Sequence, residues 1–273
     1  MSRSGAVAVF LVAGVFAACS STNERKPYLG GGTDAFSGPG LVGGKGRSGS
    51  TSTPDGGSGP VGNGTLTGTV AVYQDSTFST VQTFTGSGNI TVRGTHDVTG
   101  TFVGGQFTVN GVDRVASFWV GLEATTQTTD LLPTISPADG TATSVALAFG
   151  RKSAILDILA SAVRVPQELE SDKAQIFLGF VSSSATPTPL AGVQITQSPG
   201  KDVLYDAGGI YTDADQATTQ ARGIAFIANA TASAQFPGSN VVVTYQAPRI
   251  GKSGSVQILA SAGAFTIALV PVN

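Results

Sequence analysis

Histidine and cysteine are all but missing: the 273-residue chain carries one of each, His96 and Cys19. Zinc chemistry needs three or four ligands of that kind, so neither a metal site nor a cofactor is expected. Charge is scarce as well, at 12% of residues, about half the usual share of roughly 25%. The longest basic runs are the pairs Arg25-Lys26 and Arg151-Lys152, and the formal net charge is −2. A phosphate backbone would find no basic footprint here, which excludes nucleic acid as a partner. Catalytic signatures are missing too. His96 sits in the turn-like Arg93-Gly-Thr-His-Asp97, no Gly-x-Ser-x-Gly elbow accompanies it, and Gly251-Lys-Ser253-Gly has the wrong spacing. What is plentiful is glycine, 37 residues, together with Thr, Ser, Gln and Asn that must dress the surface in place of charge.

The N-terminus reads as an address. Arg3 precedes a twelve-residue apolar run, Gly5 to Phe16, then Ala17-Ala18-Cys19-Ser20-Ser21. Such a run is too short to span a bilayer, which takes about 20 residues, and has the length of a signal-peptide core. The segment Phe16-Ala17-Ala18-Cys19 resembles the lipobox of bacterial lipoproteins. That resemblance implies cleavage before Cys19, a diacylglycerol on its thiol, and a membrane partner reached through that lipid anchor. Ser20 and Ser21 after the cysteine imply the outer membrane of a two-membrane envelope, facing periplasm or cell surface. An ordinary signal peptidase cutting after Ala17, with Val15 and Ala17 at its two recognition positions, is the other reading of the same residues.

From Gly30 to Gly64, 14 of 35 residues are glycine. Apolar surface there is too sparse to offset backbone entropy, so residues 19–63 are expected to be a disordered tether. As a flexible coil it would span roughly 35–40 Å.

After Gly64 the texture changes to short Thr/Val/Ile/Phe runs punctuated by Gly, Asn, Asp and Ser, the pattern of antiparallel strands and turns. Residues 64–150 are expected to form one β-sandwich unit, with strands at Thr65–Tyr73, Asn89–Arg93, Gln106–Asn110, Val115–Glu123 and Ser144–Phe149. Alternation along the fourth puts Ala116, Phe118, Val120 and Leu122 on the core face and Trp119 on the other. Trp119 is therefore the candidate ligand contact, a stacking platform for a sugar or an anchor for a protein partner, unless other parts of the chain cover it.

Residues 151–172 are expected to be a helical connector. Ile155, Ile158, Leu159, Ala162 and Val163 recur at helical spacing over Ser153–Arg164, and Pro166 closes the pattern. Glu168, Glu170 and Asp172 then read as a solvated turn. The second unit, 173–273, has strands near Ala174–Val181, Gly192–Thr196, Ile224–Ala228, Val241–Gln246, Ser255–Ala260 and Gly263–Val270.

Within it, Gln175-Ile-Phe-Leu-Gly-Phe-Val181 leads to Pro189-Leu190-Ala191-Gly192-Val193, then Tyr205, then Gly223-Ile-Ala-Phe-Ile-Ala-Asn229. This layout is similar to the carboxypeptidase-regulatory-like family. The resemblance implies a transthyretin-like, Ig-like sandwich without a shared catalytic set. Gly105-Gln-Phe107-Thr-Val109 in the first unit is a fainter echo of the segment that begins at Gly223. The fold class expected is thus mainly β, two sandwich units joined by one short helix.

The function expected is an envelope-anchored lipoprotein acting as a non-catalytic binding or structural scaffold, not an enzyme, with an envelope protein or a glycan as partner. Two alternatives stand beside it: a carbohydrate-binding accessory module, and a hydrolase using an unrecognised carboxylate pair. Asp213-Ala-Asp215, with Asp206 nearby, lacks the ligand pattern of an EF-hand loop and reads as a solvated turn before it reads as a calcium site.

Overall fold

The computed structural model describes residues 62, 64–94, 96–113, 117–142, 144–162, 168–184, 186–213 and 217–273. The expected signal segment, Cys19 and nearly all of the expected tether lie outside the described residues, as do Val163 to Gln167 and Ala214 to Gln216.

The body is mainly β, with one α-helix among the described residues. The first nine strands are β1 (Gly64–Tyr73), β2 (Val81–Thr83), β3 (Ser87–Arg93), β4 (Asp97–Val103), β5 (Gln106–Val112), β6 (Ser117–Ala124), β7 (Leu131–Leu132), β8 (Thr134–Asp139) and β9 (Ser144–Arg151). Helix α1 (Lys152–Ser161) follows. The chain then forms β10 (Ala174–Ser182), β11 (Gln194–Gln197), β12 (Asp202–Asp206), β13 (Tyr211–Thr212), β14 (Ile224–Ala230), β15 (Ser239–Ala247), β16 (Lys252–Ala260) and β17 (Phe265–Val272).

Alternation decides the first half. Phe118, Val120 and Leu122 on β6 point inward, as their spacing predicts, and meet Leu66, Val70, Ile90, Phe102, Phe107 and Phe149 in one cluster. Because every strand contributes its alternate side chains to that same cluster, the ladder is a single curled sheet in the order β8-β6-β3-β4-β5-β1-β9-β7. Its two ends belong to one stretch of chain, broken at Pro133, which has no N–H to offer a ladder. Thr134 bridges the break, its hydroxyl donating to the Leu132 carbonyl at 2.9 Å and accepting from Gly150 N at 3.0 Å.

The second half has three layers. Strand β10 is buried along nearly all its length, as a run apolar on both faces requires. Ile176, Leu178 and Phe180 face the separate sheet β11-β15-β16, meeting Val193, Val243, Tyr245 and Ile258. Phe177, with Phe226 and Leu204, faces α1 through Ile155, Ile158 and Leu159. That second face also receives Tyr73 and Phe78 from the first half.

The two halves share one ladder. Strand β17 runs parallel to β8, pairing Phe265 with Thr134 and Thr266 with Ile135, and Phe265 N donates to the Pro133 carbonyl at 2.8 Å. One fourteen-stranded sheet therefore runs from β13 to β7.

Candidate functional site

The most chemically loaded point of the described body lies where two turns of the second half meet a loop of the first. Strand β12 carries Val203, Leu204 and Tyr205 before Asp206, where it runs into Ala207-Gly208-Gly209-Ile210. Gly208 and Gly209 both adopt positive φ, +90° and +99°, backbone that only glycine enters without strain. The turn closes with Ala207 N donating to the Ile210 carbonyl at 2.7 Å. The facing turn, Gln220 to Gly223, is held by Thr219, whose hydroxyl donates to the Leu190 carbonyl at 2.7 Å and whose N–H donates to the Val193 carbonyl at 2.8 Å.

Between these turns Asp206 is fully buried. Its Oδ1 accepts from Gly209 N at 2.7 Å and from Arg222 Nη1 at 3.2 Å. Its Oδ2 is buried without any hydrogen-bond partner, where a buried carboxylate oxygen is ordinarily satisfied. Arg222 spends its other terminal nitrogen on the Thr77 carbonyl. That carbonyl belongs to a loop fixed by Asp75, which accepts from Thr77 N at 2.9 Å and from the Thr77 hydroxyl.

A cleft of about 360 Å³ opens beside the pair, lined by Asp206, Ala207, Gly208, Gln220, Ala221 and Arg222. Ile210, 65% exposed, stands one residue beyond the turn's glycines. On the other side of Arg222 lies a narrow apolar hollow of about 30 Å³ whose lining includes Tyr73, Phe78, Phe177 and Ile224. Tyr211 is held neutral: burial, reinforced by the Asp206 charge, drives its phenol far above the ordinary range. It donates to the Ser76 carbonyl at 3.3 Å. For Asp75, burial acts to raise the carboxyl, but hydrogen bonds from Thr77, Thr80 and Ser79 win and hold it below its usual value. The cleft thus exposes part of the Arg222 guanidinium, its charge balanced by the buried Asp206, together with Gln220 and near the exposed Ile210.

The residues singled out in the sequence fall elsewhere. Trp119 is half-buried and packs between the halves, against the cluster of Ile135, Leu259 and Ala264 that Phe236 also meets. A Cβ on Gly121, beside it on the same face, would collide with the Phe236 ring. Arg93, paired with Trp119 across the ladder, donates to the Gly238 carbonyl in the same contact. His96 Nδ1 lies 3.3 Å from Asp113 Oδ2 at an exposed position. Glu168, Glu170 and Asp172 lie in or beside a turn and are exposed or nearly so. Asp215 lies outside the described residues, and Asp206, considered beside it for calcium, is instead committed to Arg222. Among the described residues no three His, Cys, Asp or Glu side chains gather as a metal site, and no helix is long and apolar enough to cross a membrane.

Arg222 carries no sequence signal of its own. A carboxylate after the run Val203-Leu204-Tyr205 and before Gly-Gly is a hint, since such a group needs a cation once buried, but the spacing of 16 residues to Arg222 belongs to no motif.

No family model matches the chain, and no curated protein matches it. Among solved structures it is similar to the Bacillus anthracis TIE protein, at 11% identity and a TM-score of 0.23, over 77% of this chain and 34% of that one. The chain spans about a third of that protein's length, and a superposition so loose carries no argument about function.

Proposed function

We propose that the protein is an envelope lipoprotein, anchored through Cys19 and held out on the Gly-rich tether, whose β body is a non-catalytic binding or structural scaffold module. The observation that carries the binding role is the partly exposed Arg222 guanidinium, fixed by the buried Asp206 carboxylate, on the wall of an open cleft. Concave sites of about 300–1,000 Å³ with a few fixed polar groups on an apolar wall are the usual form of small-ligand sites. The second half is read as a transthyretin-like sandwich. Gly192 at φ +83° leading into buried Val193, and the Tyr205 hydroxyl accepting from Ile195 N at 2.8 Å, support that reading.

A second reading, a carbohydrate-binding accessory module, is favoured by the charge-balanced character of the pair. A sugar hydroxyl both donates and accepts, and the exposed Gln220 amide beside the partly exposed Arg222, whose charge the buried Asp206 balances, offers both complements.

Two measurements test this. Intact mass of the native product reports whether Cys19 carries diacylglycerol, and an unmodified thiol would remove the anchor. Titration of the purified chain with soluble envelope glycans and peptides, compared with Ala221→Phe to fill the cleft, reports the binding role. Binding unaffected by Ala221→Phe would move the site elsewhere.

A further inference from the structure

A sheet edge offers a row of backbone donors and acceptors to any passing strand, so edges are normally covered, kept short, bulged or charged. Most edges of this protein follow that rule. The outer side of β11 is closed by the Tyr205 hydroxyl on Ile195 N and by Thr219 on Val193 N at 3.0 Å. Strand β13 is closed by the Ser161 hydroxyl, which accepts from Tyr211 N at 3.1 Å. Strands β2 and β7 are three and two residues long.

Strand β16 is a long outer strand without such cover. It pairs with β15 over nine successive residues without a register shift, so nothing twists its free side away. Among the described residues no backbone hydrogen bond reaches that free side along 252–257. Its only charge is Lys252, at the very start, and the side chains that follow are Ser253, Gly254, Ser255, Val256 and Gln257. Beyond Gln257 the strand is buried.

We propose that β16 is a homodimerisation edge, on which a second copy of this chain adds its own β16 antiparallel about a two-fold axis at Ser255. The strand is self-complementary in that register. Ser253 opposes Gln257 of the second copy, Gly254 opposes Val256, Ser255 opposes itself, and Lys252 opposes Ile258. The two lysines then stand six residues apart along the strands, about 20 Å, beyond a Debye length at physiological salt. A two-fold axis normal to the sheet keeps the core faces of both copies on one side, so two three-stranded sheets become one of six strands, an isologous contact. The partner is this chain rather than a foreign strand because a net charge of only −2 opposes self-association weakly, and no side chain of the free edge demands a charged complement.

The experiment uses the full chain with Cys19→Ser, so that neither lipid nor the native thiol contributes. Light scattering from micromolar to near-millimolar concentration is expected to show a dimer. Ser255→Cys is expected to form a disulfide-linked dimer under mild oxidation, severalfold above Val103→Cys, an exposed site in the first half. Ser255→Glu sets two carboxylates across the axis and is expected to halve the mass at unchanged far-ultraviolet dichroism, while the neutral Ser255→Gln remains dimeric. A monomer throughout the range, whether or not the chain captures some other extended segment, overturns the proposal. So does a dimer indifferent to Ser255→Glu whose Ser255→Cys form cross-links no better than Val103→Cys.

Discussion

Arg222 joins Asp206 to Thr77: one guanidinium nitrogen lies 3.2 Å from the Asp206 carboxylate, and the other donates to the Thr77 carbonyl, 145 residues away in the sequence. A single side chain thereby neutralises a buried acid, walls the cleft and ties the halves together. Arg222→Ala would strand the Asp206 charge in the interior. The expected loss is about 3 kcal/mol, the low end of the range for breaking a buried pair because Arg222 keeps some exposure. Arg222→Met with Asp206→Asn should cost less than Arg222→Ala alone. Denaturant unfolding midpoints measure both.

Gln175 and Asn229 fasten the turn before β10. Gln175 Nε2 donates to Asn229 Oδ1 at 2.6 Å, Asn229 N donates to Gln175 Oε1 at 3.1 Å, and Asn229 Nδ2 donates to the Glu168 carbonyl at 3.2 Å. Gln175 is 2% exposed, so Asn229→Ala leaves its amide buried with a partner missing. A loss of about 1–3 kcal/mol is expected, with faster amide exchange in the 168–174 segment.

Burial raises the phenols of Tyr73 and Tyr211 well beyond the ordinary range, and those of Tyr205 and Tyr245 less far. A proton held more tightly in the folded state stabilises fully below the unfolded value of about 10 and is lost as pH climbs through the folded one. Stability should therefore fall above pH ~10, with tyrosinate absorbance from these residues appearing together with the loss of β-sheet dichroism. Tyrosinate formed while the sheet persists, in the Tyr73→Phe and Tyr211→Phe comparison, would contradict the buried placement.

Asp75 gives the opposite limb. Its carboxyl is held below the usual value by its hydrogen bonds, so its contribution is present above the unfolded pKa of about 3.9 and fades as pH drops through the lower folded value. Asp75→Asn should flatten the acid limb of the stability curve by lowering the neutral plateau toward the acid value, which itself stays nearly unchanged.

Trp119 is the chain's one tryptophan and lies in the contact between the halves. Because β17 and β8 share a ladder and Phe78 stacks on Phe265 at 5.1 Å, the described body should unfold as a unit. Tryptophan emission and far-ultraviolet dichroism should trace one superimposable transition. An earlier emission change would mean that the halves part first.

Much of the strand content was legible because alternation and continuous apolar runs are written residue by residue: β1, β3, β5, β6, β10 and β14 fall where those patterns place them. Helix α1 ends at Ser161, short of Arg164, its last carbonyls turned by the Ser161 hydroxyl, which donates to Ile158 O at 2.7 Å. Strands β4 and β8 were not legible. The first, Asp97–Val103, has Thr and Gly where apolar residues would mark it, and the second carries Pro137, which ordinarily argues against a strand. Trp119 was placed on the outer face of its strand by parity, but what lies over that face comes from more than a hundred residues later.

The amino-acid order by itself thus determined which segments extend, which side of each strand faces the core, and where one helix begins. Tertiary structure alone decided that β17 lies beside β8, that Arg222 reaches Thr77, and that Leu259 and Ala264 pack on Trp119. The physical reason is that side-chain alternation is local, set by the pleat of each strand, whereas every strand edge offers the same N–H and C=O groups to any neighbour. Choice among neighbours is made by the fit of whole faces, and those exist only once the chain has folded.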